Sequence, residues 1–229
     1  MERIGILAHK SFHNKELHVS VYGSHDGKGK RWELSGTAKQ LKPALKLAVL
    51  HPPESRFPRY NPFPNVVLGD WNNDIVKVDW DERPYSEVKL FSRLMNERYN
   101  LDGFIILQSS TTLHKVRDES LDRIAYEYRT KSFHTVFNRQ VSHEELNSIL
   151  AWLCLFTKDN KLITWYLLQN IKGTYTLRVG FKGKKEPPKI VYRFGNQDKQ
   201  IAAYLSNRDF VFNFLEEESR NFRKVKNNE

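Results

Sequence analysis

Five prolines fall within the fifteen residues of HPPESRFPRYNPFPN, positions 51–65. Proline fixes φ and carries no backbone N–H, so neither a helix nor an interior strand can run through such a stretch. The chain is therefore expected to organise on either side of it. Residues 1–64 would form a small basic N-terminal α/β lobe ending in this connection, and 65–229 the main body. A chain of 229 residues can bury one sizeable core with a small appendage. Its longest apolar runs, such as AWLCLF at 151–156, are too short to span a bilayer. The start, MERIGILAHKSFHNK, lacks the apolar core of a secretion signal. The single cysteine, Cys154, allows neither an internal disulfide nor a cysteine-based zinc cluster. These features lead to the expectation of a cytoplasmic protein without membrane association.

Lys and Arg number 37 against 27 Asp and Glu, a net charge of +10. Such an excess favours polyanionic partners: nucleic acid first, then an anionic membrane surface or nucleotide substrates.

Periodicity gives a mixed set of elements. LHVSVYG (17–23) alternates as a strand, SHDGKGK supplies a turn and RWELS (31–35) a return strand. TAKQLKPALKLAVL (37–50) is expected as a helix interrupted near Pro43. VVLGDW and DIVKVDW are β-rich, and SEVKLFSRLMNERY (86–99) predicts a helix with Val88, Phe91, Leu94 and Met95 on one stripe. GFIILQSS is a strand, and IAYEYRT and FHTVFNR are expected as two further short strands divided by KS. SHEELNSILAWLCLF predicts a helix with a capping box of Ser142 and Glu145, and with Leu146, Ile149, Leu150 and Leu153 at helical spacing. LITWYLLQN fits helix or strand. TYTLRVGF and KIVYRFG are expected to pair with each other through a lysine-rich turn, and residues 199–226 to close the chain as helix in two pieces. The order is that of an α+β fold, an antiparallel sheet flanked by helices, not a regular βαβ alternation.

Three stretches carry chemistry. In NDIVKVDWDERP (73–84), Asp79 and Asp81 are two apart at a strand end and point the same way. Paired hard oxygen donors of this kind suit Mg²⁺ or Mn²⁺, although a solvated turn with a helix cap uses the same residues. In RTKSFHTVFNR (129–139), His134 stands among Arg129, Lys131 and Arg139 and shares a strand face with Asn138. It could meet a phosphate, orient an attacking group or be a hydrogen-bonded structural histidine; His114 is a second candidate. In TLRVGFKGKKEPPKIVY, Arg178 sits between Leu177 and Val179, an awkward place for a permanent cation unless it meets an anion. Lys182, Lys184 and Lys185 follow, and Gly180 and Gly183 let backbone approach a ligand.

Acids, then histidine, then a basic strand: this order resembles the catalytic core of the archaeo-eukaryotic primase superfamily, which includes primase-polymerases of archaeal plasmids and viruses. VDWD matches its Asp-x-Asp strand end, KSFHTVF its Ser-x-His motif (Ser132 and His134), and TLRVGFKGKK its arginine segment (Arg178, with Lys182 or Lys184). The resemblance covers roughly residues 70–195. It implies a primase/RRM-like antiparallel core that binds Mg²⁺ or Mn²⁺ through Asp79 and Asp81 and adds NTPs or dNTPs on a single-stranded or primed nucleic acid. Asp79, Asp81 and His134 would be catalytic. Ser132, His134, Arg178, Lys182 and Lys184 would bind nucleotide. Lys28, Lys30, Arg31, Lys39, Arg129, Lys131 and Arg139 would contact nucleic acid, with Trp32 and Tyr60 available for base stacking, and other replication proteins are possible partners. The family usually has a third metal-binding acid before the arginine segment. LLQNIKGTYTLRVG offers none, and Asp159 is the nearest upstream acid. A noncatalytic primase-like or replication-initiation protein therefore stays open, as does a metal-dependent nuclease using Asp79 or Asp81 with Glu87 and Lys89.

Overall fold

The computed structural model describes residues 17–23, 30–36, 40–41, 66–70, 74–118, 123–173, 175–179, 187–210, 213 and 217, the first three strands by backbone alone. Strands β1 (Leu17–Gly23), β2 (Lys30–Gly36), β3 (Val66–Asp70) and β7 (Leu177–Arg178) form one sheet in the order β2-β1-β3-β7. The pairing expected of LHVSVYG with RWELS is present, with Leu17 opposite Gly36 and Gly23 opposite Lys30. Its sheet also takes in strands that follow the proline-rich stretch.

The main sheet consists of β4 (Ile75–Trp80), β5 (Gly103–Asp118), β6 (Arg123–Gln140) and β8 (Lys189–Gly195), in the order β4-β6-β5-β8 with every neighbour antiparallel. Helix α1 (Tyr85–Tyr99) joins β4 to β5, with β6 lying between them, a split βαβ unit. Helices α2 (His143–Thr157) and α3 (Asn160–Lys172) follow β6, and α4 spans 200–210. The fold is α+β, an antiparallel sheet flanked by four helices. Among the described residues no helix is long and apolar enough to cross a membrane.

Strand β6 sorts the two faces. Its odd residues Phe133 and Phe137 join Val76, Val78 and Trp80 of β4, Phe104 and Ile106 of β5, and the apolar stripes of α1, α2 and α3 in one buried core. Apolar burial of this kind is the main favourable term in folding. The even residues Ser132, His134, Val136 and Asn138 point to the opposite face and are also buried. Helix α4 begins on that side, because Asn138 Oδ1 accepts the backbone N–H groups of Lys199 at 3.1 Å and Ile201 at 3.2 Å. This side chain caps the helix from across the sheet, satisfying donors the helix cannot.

Several sequence expectations change for identifiable reasons. The buried residues of α1 are Val88, Ser92 and Met95, with Phe91 and Leu94 half-buried. Ser92 is tolerated there because its hydroxyl lies 3.0 Å from that of Thr135, which also accepts the Trp80 indole N–H at 2.9 Å. Ser142 caps α2 by accepting the N–H of Glu145 at 3.1 Å, while the Glu145 carboxylate pairs with Arg139. LITWYLLQN is helical, begun by Asp159 and ended by Gly173 at φ 72. IAYEYRT and FHTVFNR are one continuous strand, since Lys131 turns to solvent and Ser132 inward, and KS therefore fits the alternation. TYTLRVGF and KIVYRFG do not pair with each other: β7 pairs with β3, and β8 with β5. Phe194 of β8 packs 5.2 Å from Phe104, a long-range contact that local pattern cannot announce. The expected helix at 37–50 and the second C-terminal piece lie almost wholly outside the described residues.

Two bulges mark the β5–β6 pair. Gln108 opposes Phe133 but Ser110 opposes Ser132, leaving Ser109 as an extra residue, and Ala125 is extra in β6 near the tip. One inserted residue reverses the alternation. Even residues of β5 therefore face the helices at Phe104 and Ile106 but side with Ser132 from Ser110 onward.

Gly103 and Gly195 oppose each other where β5 begins and β8 ends. Gly103 has φ +126, and a Cβ there would lie 2.3 Å from the Asn196 carbonyl oxygen. Gly103→Ala should lower stability by about 3 kcal/mol or more, since strain and a backbone clash coincide. Gly173→Ala, at φ +72 with nothing within 4 Å, should cost only about 1 kcal/mol. Urea unfolding of the two variants side by side checks the contrast.

Candidate functional site

Antiparallel pairing sets Asp79 of β4 directly opposite His134 of β6. The carboxylate oxygen Oδ1 of Asp79 lies 3.5 Å from His134 Nε2, with the aspartate side chain 25% exposed and the histidine 4%. Arg178 enters from the other sheet on β7, and its guanidinium donates to the carbonyl of Ser109, the residue that the bulge releases from the ladder. Burial pulls Arg178 down to about 10, and the Asp79 carboxylate and then the Tyr204 hydroxyl oppose that fall. It remains a cation at neutral pH. Three residues from separate stretches thus share one neighbourhood. Lys77, two residues before Asp79 on the same strand face, is fully buried. The layer between the main sheet and α4 is accordingly rich in cationic groups, an arrangement that costs free energy unless carboxylate or phosphate oxygens meet them.

Asp81 lies in the turn just past β4 and is exposed; the Lys161 pKa is raised chiefly by its hydrogen bond to Glu82, with the Asp81 charge adding to it. The residue between it and Arg83 is more engaged. Glu82 adopts φ 56, its N–H donates to Ser132 Oγ at 3.2 Å, and its carboxylate accepts from Lys161 Nζ at 2.6 Å. The same carboxylate lies 3.4 Å from His114 Nε2. Asp159 serves α3: one oxygen caps the helix, accepting from Lys161 N at 2.9 Å, while the other accepts from Arg83 Nε at 2.6 Å. Burial alone would lower the Arg83 pKa, but hydrogen bonds to Asp159 and Glu87 raise it instead. Among the described residues no group of three His, Cys, Asp or Glu side chains is placed to hold a metal ion. Magnesium accepts one or two carboxylates and completes its shell with water and phosphate. Asp79 is one-quarter exposed and Asp81 follows it in the turn, whereas Asp159 is committed to the cap and to Arg83.

The remaining sequence candidates are dispersed. Ser132 is buried against the Glu82 turn. Arg129 and Lys131 are exposed on the long β5–β6 hairpin, and Arg139 is paired with Glu145. Lys30 and Arg31 lie on β2 opposite Gly23 and Tyr22, and Trp32 lies opposite Val21. Lys28, Lys39, Tyr60, Lys182, Lys184 and Lys185 lie outside the described residues. Glu87 and Lys89 are both on helix α1, where Glu87 binds Arg83 and Lys89 sits 4.4 Å from the Tyr192 ring centroid. Burial, with Asp159 adding to it, pushes the Cys154 thiol up to about 11, so this residue is no ready nucleophile. The sequence reading passed over Lys77, Glu82 and Tyr204. For Lys77 a signal existed, a lysine in step with Asp79 inside the apolar run IVKVDW.

Compared with known proteins, the chain matches no family model, no curated protein and no solved structure.

If Asp159 serves the helix, Asp159→Ala should cost about 1–2 kcal/mol through the lost cap. Urea unfolding measures that loss, and Mn²⁺ affinity read by electron paramagnetic resonance should match the parent protein.

Proposed function

We propose that this protein is a metal-dependent nucleotidyltransferase of DNA replication, primase-like in its core, adding NTPs or dNTPs on a single-stranded or primed template. The observation that carries this reading is the meeting of Asp79, His134 and Arg178 at one point still open to solvent through Asp79. Their order along the chain is the one in which the primase resemblance arises, and the net charge of +10 suits a polyanionic template.

Each residue then has a task. Asp79 and Asp81 would hold Mg²⁺ or Mn²⁺, which when bound would neutralise charge on the phosphate and the attacking hydroxyl. Arg178 presents its fork to the triphosphate from a mostly buried position, where charge-assisted hydrogen bonds act through little water. His134 is placed to hold a phosphate oxygen or the hydroxyl, oriented by its neighbour Asp79. Lys182 and Lys184, which follow Arg178 in the sequence, would bind the nucleotide by the same resemblance.

A second reading has its own support. Asp159 is committed to Arg83 and the α3 cap, and no third acid stands in for it among the described residues. A noncatalytic primase-like or replication-initiation DNA-binding protein would need no metal site, only the cationic layer and surface.

Incorporation of labelled nucleotide on a primed single strand, with Mg²⁺ or Mn²⁺, separates the two. Asp79→Asn should cut incorporation by about a hundredfold or more while circular dichroism shows a folded protein. Nucleic-acid binding without turnover in the parent supports the second reading, and template shortening indicates a nuclease. Arg178→Lys keeps the charge but loses the fork, and should raise the nucleotide KM about tenfold with little change in DNA affinity. A larger change in DNA affinity than in KM would move Arg178 into the template-binding set.

A further inference from the structure

Among the described residues neither β8 nor β4 pairs beyond Gln108 and Phe133, and residues 110–118 and 123–132 run on as an arm of two strands. At about 3.3 Å per residue the arm extends roughly 30 Å. A lone two-stranded ribbon is marginal in water, so the side chains it carries need a reason. One face holds an aromatic stack. The His114 and Tyr128 rings lie 4.7 Å apart and 10° from parallel, and Tyr126 follows at 6.0 Å from Tyr128. His114 is fixed from behind, 2.8 Å from Thr130 Oγ1 and 3.4 Å from the Glu82 carboxylate. Despite this packing Tyr128 stays 46% exposed and Tyr126 57%. The opposite face presents Lys115, Arg129 and Lys131 to solvent, Lys115 beside Glu127 at 3.0 Å.

The arm also points somewhere. No bulge interrupts β6 between Tyr126 and His134, so its even residues share one face throughout. The aromatic stack is therefore in line with His134 and Asp79, and Tyr128 lies about 20 Å along the strand from His134.

We propose that the arm is a binding site for single-stranded nucleic acid. Unpaired bases stack on Tyr126 and Tyr128, while phosphates meet Arg129 and Lys131, whose long side chains reach round the edge of a ribbon two strands wide. A phenol ring stacks on any base, so the site is indifferent to sequence; a duplex, with its base faces hidden, cannot use it. The inference rests on the nucleic-acid substrate of the proposed function and gives that substrate a path to Asp79.

Fluorescence anisotropy with a labelled 20-nucleotide single strand and the matching duplex, over a range of salt, provides the test. The double variant Tyr126→Thr, Tyr128→Thr replaces the rings with β-branched residues that suit a strand and should weaken single-strand binding about tenfold or more, leaving the salt slope and duplex affinity nearly unchanged. Tyr126→Phe with Tyr128→Phe should retain parental affinity, which excludes a folding defect at these positions as the cause. Arg129→Gln with Lys131→Gln should instead flatten the salt slope by about 1.4, two phosphate contacts at roughly 0.7 each. Unchanged single-strand affinity in the threonine variant overturns the proposal, as does an equal loss on duplex. A parent that binds single strands through the tyrosines but incorporates no nucleotide leaves the arm standing and removes the polymerase reading. Incorporation that survives with the threonine variant binding normally does the reverse.

Discussion

Along β6 each step of one residue crosses the sheet, and the rest of the structure depends on which residue falls on which side. Phe133 and Phe137 are held by the apolar core under three helices, which leaves His134 and Asn138 no choice but the opposite face. The hydrogen bonds from Trp80 to Thr135 and between Thr135 and Ser92 close only in this register, because Thr135 must meet the indole of β4 and a serine of α1 together. A slip of one residue would exchange the faces and place Phe133 or Thr135 beside Asp79. The apolar side of the sheet thereby fixes the chemistry of the polar side, though the two share no contact.

The polar side has an unusual composition for a protein interior. Lys77 is fully buried and Arg178 largely so, with the Asp79 carboxylate two residues from Lys77 on the same face of β4 and near enough to act on the Arg178 charge. Folding alone gives no motive for such a layer, since apolar residues of equal volume would be as stable or more so. Places where a sequence departs from what packing favours are where function is expected to lie. Helix α4 is held by Asn138 and buries Ile201 and Tyr204, while the Asp79 side chain stays 25% exposed.

Much of this was legible in the chain, for reasons that can be named. Helix α2 was visible because Ser142, Glu145 and the leucine spacing all act locally, and β4 because IVKVDW ends in residues with no other use. The nearness of Asp79, His134 and Arg178 could be expected only through motif order, since it is made by strand pairing across 55 and more residues of chain. Partner choice was the hardest part. Nothing within TYTLRVGF or KIVYRFG reveals that they join different sheets, because the deciding pairings, Arg178 with Gly69 and Phe194 with Phe104, lie far away in sequence. Asp159 stands in the sequence as the nearest acid upstream of the arginine segment, whereas in the structure it caps α3 and binds Arg83, which arrives from another element.

The extra residue at Ser109 has a wider consequence. It sits where the hairpin leaves the sheet, and it shifts the phase of one strand by half a period while its partner keeps step. Removing that residue would restore an unbroken ladder there, with Ser110 still opposite Ser132 and His114 still opposite Tyr128, but it would take away the carbonyl that Arg178 binds. The consequence reaches the other sheet: one residue too many for the ladder offers its carbonyl to a guanidinium from β7, while the facing of the whole arm is set by its pairing with β6.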